Sequence, residues 1–191
     1  MKFPKNIINF AFSLYAKKYQ KTHIREKRFM DYSHITSILL LFESNLSENH
    51  KIIHEVIKEL SHDNKHVTAY GFVPKKQAMT PSTFNFNILD YEKTNCLLRP
   101  DKVLLQNMSE TEFDLVIDLT TRSIVPTDYL LVVANAKCKV GKKKSDIAQT
   151  DFMIDLPQKE VSSDEMIDLS YNEERYLFDQ IIFYLKQITA K

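Results

Sequence analysis

Glycine is almost missing from this sequence: 191 residues contain only Gly71 and Gly141, against a usual share of ~7%. Phosphate cradles of the GxGxxG or GxxxxGK(S/T) type need several glycines close together, so both are excluded. Cysteine is equally scarce. Cys96 and Cys138 are far apart and form no CxxC pair, which argues against a cysteine-built zinc site and for buried, reduced thiols in a cytosolic protein. No serine sits in a GxSxG elbow. His50 and His54 share a helix face, but "HKIIHE" carries Lys51 where the HExxH pattern needs a glutamate. No metal or cofactor is expected. No apolar run approaches the ~18 residues of a membrane span.

What is present suits a packed domain. The chain is 43% hydrophobic and 27% charged, enough apolar surface for a real core. The net charge of +1 conceals a gradient. Residues 1–30 hold eight Lys/Arg against Glu26 alone, a net of +7, while residues 145–191 sum to −6. Such asymmetry fits an anionic partner at the amino end, or mutual attraction of the two termini within the fold.

The start resembles a signal peptide in being basic and then apolar. Asn6, Asn9 and Ser13 interrupt it, and the segment is read as a retained helix. Pro4 suits a first helical turn. Ile8, Phe12, Tyr15 and Tyr19 form one apolar stripe. Lys17, Lys18, Lys21, Arg25, Lys27 and Arg28 crowd the later turns. This predicts a basic amphipathic helix of some twenty-five residues, assigned to 1–30 and set apart from a domain over 31–191. Such a helix packs against its own domain or a second copy of the chain, or meets a protein partner, an anionic membrane or RNA.

From residue 34 onward, strand and helix patterns alternate. "HITSILLLFE" (34–43) is a continuous apolar run, as in a strand buried on both faces, and "FDLVIDLT" (113–120), with aspartates around an apolar centre, reads as a second buried strand. "HVTAYGF" (66–72), "KCKVG" (137–141) and "DFMIDL" (151–156) are further strands, and "TFNFNIL" (83–89) alternates like a half-exposed one. Helices are expected over 47–62, over 100–108, over 126–136 with Pro126 in the first turn, and after a capping box of Ser170 and Glu173. "GKKKS" (141–145) reads as a solvated loop. The economical assembly is a three-layer, Rossmann-like α/β domain with a mostly parallel sheet and helices on both faces.

In such a sheet, ligands sit beyond the carboxyl ends of the strands, where strand order reverses. That geometry selects Ser44, Asn45, Lys75, Lys76, Asp118, Thr120, Thr121 and Arg122. Hydroxyls with cations suit a phosphate, and Asp118 suits a base, a ribose acceptor or a metal ligand. Surface loops of α/β proteins are polar in any case, and an aspartate at a strand end also caps. Asp114 opens its strand at the opposite end.

"FDLVIDLTTRSIVPTDYLLVVANAKCKVG" (113–141) resembles the N-terminal half of heptosyltransferase-like glycosyltransferases. The resemblance rests on Phe113, Asp114, Leu115, Ile117, Asp118, Leu119, Ala134, Ala136 and Gly141. The whole chain is similar to a small uncharacterised single-domain α/β family. The glycosyltransferase pattern has a Gly-Asp after the first strand; here the loop reads "SNLSEN", with Glu48 nearest to that acid. The second, sugar-nucleotide half would need more than 191 residues. The resemblance therefore implies fold ancestry.

Three functions follow in order of expectation. The first is a non-catalytic cytoplasmic module for a protein or anionic partner. The second is a small enzyme or binding protein for a phosphorylated or nucleotide-bearing metabolite. The third is a peripheral contact with RNA or the inner membrane face through the amino-terminal helix.

Overall fold

A computed structural model describes residues 3–44, 49–73, 86–144, 150–156 and 173–188. Six strands form one sheet: β1 (Ser37–Glu43), β2 (His66–Val73), β3 (Asn87–Asp90), β4 (Glu112–Asp118), β5 (Asn135–Lys142) and β6 (Phe152–Ile154). All neighbours are parallel, in the order β3-β2-β1-β4-β5-β6. Five helices accompany them: α1 (Lys5–Thr22), α2 (Asn49–His62), α3 (Lys102–Glu110), α4 (Val125–Val133) and α5 (Glu173–Gln187). The fold is a three-layer, Rossmann-like α/β arrangement.

The pleat sorts the core into two halves. Ile38, Leu40 and Phe42 of β1 point to one face with Leu115 and Ile117 of β4, and there meet α2 and α5. Leu39, Leu41 and Val116 point to the other and meet α1, α3 and α4. This is why β1 and the centre of β4 read as unbroken apolar runs: both faces of each are covered. Phe12 and Ala16 of α1 belong to the second half. The Phe12 and Tyr15 rings lie 4.9 and 5.0 Å from the Tyr129 ring of α4, close enough for edge-on aromatic packing.

Several boundaries differ from the sequence reading. α1 ends at Thr22, well short of twenty-five residues, so Arg25, Lys27 and Arg28 lie on an irregular segment after it. The Thr22 hydroxyl donates to the Lys18 carbonyl, and the Arg28 amide donates to the Lys137 carbonyl (3.0 Å). The segment is thus drawn onto β5. The helix expected over 126–136 stops at Val133, because Asn135 and Ala136 pair with Glu112 and Phe113 of β4. Cys138 is buried but Cys96 is exposed, and both are free thiols. The "GKKKS" run is not simply a solvated loop: Lys142 ends β5, and the Lys144 side chain is only 10% exposed. Ser47, Ser170 and residues 83–85 lie outside the described residues.

Both glycines serve close approach. A Cβ at Gly71 would lie 2.6 Å from the Phe42 ring, and one at Gly141 would lie 2.9 Å from the Asp118 carbonyl oxygen. Both are shorter than real contacts allow.

Candidate functional site

Two regions bring polar chemistry together, one at each end of the sheet. At the carboxyl end, β1 and β4 are adjacent and the chain leaves them toward opposite faces, the arrangement that opens a crevice in folds of this class. Asp118 closes β4 and is almost wholly buried. Its Oδ1 accepts from the Thr120 amide (3.0 Å) and the Thr120 hydroxyl (2.7 Å). Lys144 Nζ donates to its Oδ2 and to the Thr120 hydroxyl oxygen. Glu43 closes β1, and the Arg122 guanidinium grips it with both Nε (2.9 Å) and Nη2.

The rest of this rim is acidic. The Ser123 hydroxyl donates to buried Asp128 (2.5 Å). Burial pushes the Asp128 carboxyl up to about 6, against the pull of Lys144 and Ser123 and with some help from Asp118. Glu174, in the first turn of α5, is pushed up to about 8 by burial and by the nearby charges of Glu43 and Glu173.

Of the residues read from sequence, the fold gathers Asp118, Thr120, Thr121 and Arg122 on one loop, with Ser44 buried at the end of β1. Asn45, Lys75 and Lys76 lie outside the described residues. Arg122 and Lys144 are already held by carboxylates of this chain. An incoming anion would have to displace Glu43 or Asp118 from them. Among the described residues, no group of three or more His, Cys, Asp or Glu side chains is placed to hold a metal.

The second region is a cleft of about 870 Å³ at the amino end of β5, walled by the end of α1, the segment after it and the end of α4. Arg25, Lys27, Arg28, Lys137 and Lys139 line it, with Asp151 as the acid among the lining residues. Tyr19 and His23 stack at its edge, centroids 4.0 Å apart and nearly parallel.

Most of these cations are anchored from behind. Arg25 donates to the Ala136 carbonyl (2.8 Å) and pairs with Asp151. Lys27 stands 3.2 Å from Asp151. Burial tends to raise Asp151, but Arg25, the Lys139 amide and Lys27 together hold it below the usual carboxylate range. Lys137 donates to Asp114 (2.6 Å). Asp114 also accepts from the Thr36 amide and hydroxyl (both 2.8 Å) and the Ser37 amide (3.1 Å). Those contacts outweigh its burial and hold it well below the ordinary range.

Lys139 is the unusual member. It is 3% exposed, and its Nζ donates to the Leu131 (2.5 Å) and Val132 (3.2 Å) carbonyls in the last turn of α4. Burial, with Arg25 nearby, pulls it down to about 7. Arg28 is exposed, and among the described residues no carboxylate pairs with it.

Three of the six cations picked out in the amino-terminal segment, Arg25, Lys27 and Arg28, therefore line the cleft. Lys17, Lys18 and Lys21 stand exposed on α1 instead. Sequence reasoning missed Lys137, Lys139 and Asp151, which meet Arg25, Lys27 and Arg28 from more than a hundred positions away. The one sign of them was the basic character of "AKCKV" within an apolar strand.

A family model matches residues 9–188, nearly the whole chain: the family of unknown function DUF6913. The chain belongs to that family. No curated protein and no solved structure matches it. Membership thus brings no activity with it, and any function has to be argued from the two regions above. No helix among the described residues is long and apolar enough to cross a membrane.

Proposed function

We propose that the protein is a non-catalytic binding module for a phosphate-bearing anionic ligand, held in the cleft between the amino-terminal segment and β5. One observation carries this reading: Arg25, Lys27, Arg28 and Lys137, with the buried Lys139 behind them, line a cavity of about 870 Å³ whose lining holds one acid, Asp151, within the range of small-molecule sites. Arg25, Lys27 and Lys137 are braced by carboxylates and carbonyls, so they are pre-positioned. Arg28 is left to meet the ligand. Arginine forks match phosphate geometry, and the Tyr19–His23 stack offers a flat surface beside them. The crevice between β1 and β4 supports an enzyme less well: among the described residues Arg122 and Lys144 are each held by a carboxylate of this chain, and it has no counterpart of Arg28 left over for a ligand. The likeness of residues 113–141 to heptosyltransferase-like enzymes enters this reading as fold ancestry only.

Thermal stabilisation by pyrophosphate and by ATP tests it. A ligand at ~100 times its Kd adds ~2.7 kcal/mol, or roughly 5–11 °C in a domain this size. Arg28→Glu should erase most of that shift while leaving the unliganded Tm within a degree or two, since that side chain is exposed and among the described residues no carboxylate pairs with it. No shift with either probe sinks the reading.

A further inference from the structure

α1 is apolar on two opposite sides, and the fold covers only one. Ile8, Phe12 and Ala16 are at most 6% exposed, and Phe12 and Ala16 pack into the core half shared with α4 and the sheet. Ile7, Phe10 and Leu14 recur at i, i+3 and i+7 on the other side and are 46, 65 and 54% exposed, and Phe3, just ahead of the helix, is 40% exposed. Helix geometry carries the same outward stripe onward through Lys17, Lys18 and Lys21, all three exposed. Nothing acidic interrupts it: α1 contains no Asp or Glu, and the first acid of the chain is Glu26. A helix apolar on both faces is ordinarily buried on both, and a continuous exposed apolar patch marks a contact surface.

We propose that this outward face of α1 docks the protein on an anionic lipid surface, with Phe3, Ile7, Phe10 and Leu14 at the acyl boundary and Lys17, Lys18 and Lys21 among the headgroups. Charge decides the occupant. A second copy, paired parallel, would set three lysines against three lysines. Paired antiparallel, it would set lysines on phenylalanines. The face has no carboxylate to relieve either arrangement. A bilayer with anionic headgroups supplies an apolar layer and negative charge side by side. This inference does not depend on what fills the cleft.

The test is co-sedimentation of the full chain with vesicles of phosphatidylcholine alone and of phosphatidylcholine mixed with phosphatidylglycerol in equal parts. The chain should pellet with the mixed vesicles only, and less as salt rises. Replacing Lys17, Lys18 and Lys21 with Gln should weaken partition on the order of a hundredfold. Phe10→Glu with Leu14→Glu should weaken it at least ~10-fold with the melting curve intact and the pyrophosphate shift retained. That retained shift keeps a failure here distinct from a failure of the cleft. Three results overturn the proposal: no pelleting with the mixed vesicles, equal pelleting with both kinds, or a Phe10→Glu/Leu14→Glu variant that turns a dimer into a monomer without changing partition.

Discussion

Asp118→Ala separates a structural from a ligand-binding role for the end of β4. In the folded chain Asp118 is 1% exposed and holds the Thr120 amide, the Thr120 hydroxyl and the Lys144 ammonium. Alanine removes the acceptor of the Thr120 amide and hydroxyl and the counter-charge of Lys144, which keeps only the Thr120 oxygen. Taking one partner from a buried ion pair costs ~3–5 kcal/mol, because the other charge is left uncompensated. An orphaned buried amide adds ~1–3 kcal/mol. Lys144 lies at a strand end and has a long stem, so part of its loss is relieved by turning toward water. The net expectation is ~3 kcal/mol, or roughly 6–12 °C in Tm. Urea unfolding followed by circular dichroism would show a lower midpoint at unchanged m-value. Lys144→Met made together with Asp118→Ala should be less costly than the sum of the two single changes, since it removes the stranded charge. A loss under ~1 kcal/mol would refute this assignment, and with it the argument that Lys144 is held by a carboxylate of this chain.

Further expectations concern pH and packing. Glu174 is raised in the folded state to about 8 from 4.5, so the folded chain holds its proton more tightly. Stability should fall between those pH values, and Glu174→Gln should remove that fall in unfolding measured across the range. Lys139 is lowered to about 7 from 10.5, so the unfolded chain holds that proton more tightly. Stability should rise from pH 7 to 10.5 through this group, and Lys139→Met should flatten the rise. Gly141→Ala pushes a methyl against the Asp118 carbonyl oxygen and should cost ~1–3 kcal/mol in the same assay; a neutral result would mean that β4 and β5 part easily at their carboxyl ends.

Much of the fold is legible in sequence, for identifiable reasons. β1 and β4 are each covered on both sides, so their apolar runs are unbroken. α2 carries Ile53, Val56, Ile57 and Leu60 on one face and is equally plain. The end of α4 was hidden because "LLVVANA" stays apolar through the turn, and no glycine or proline marks the change to β5. Lys144 looked solvated because it follows two other lysines; its burial comes from Asp118, twenty-six positions away. The cleft was invisible for the same reason on a larger scale. Arg25 meets Ala136 and Asp151 across more than a hundred residues, a distance no local pattern spans. The second apolar stripe of α1 was masked by the first, since a helix apolar on two sides shows little one-sided periodicity.

The packing of α1 on α4 also sets an order of events during synthesis. Phe12 and Tyr15 find their ring partner at Tyr129. Translation at ~5–20 residues per second puts that partner on the order of ten seconds behind them. For that interval the inner stripe lacks its α4 partner, and strands β1 and β2 are the part of its cover made first. A variant that slows the later part of the chain should therefore lengthen exposure at the beginning of it.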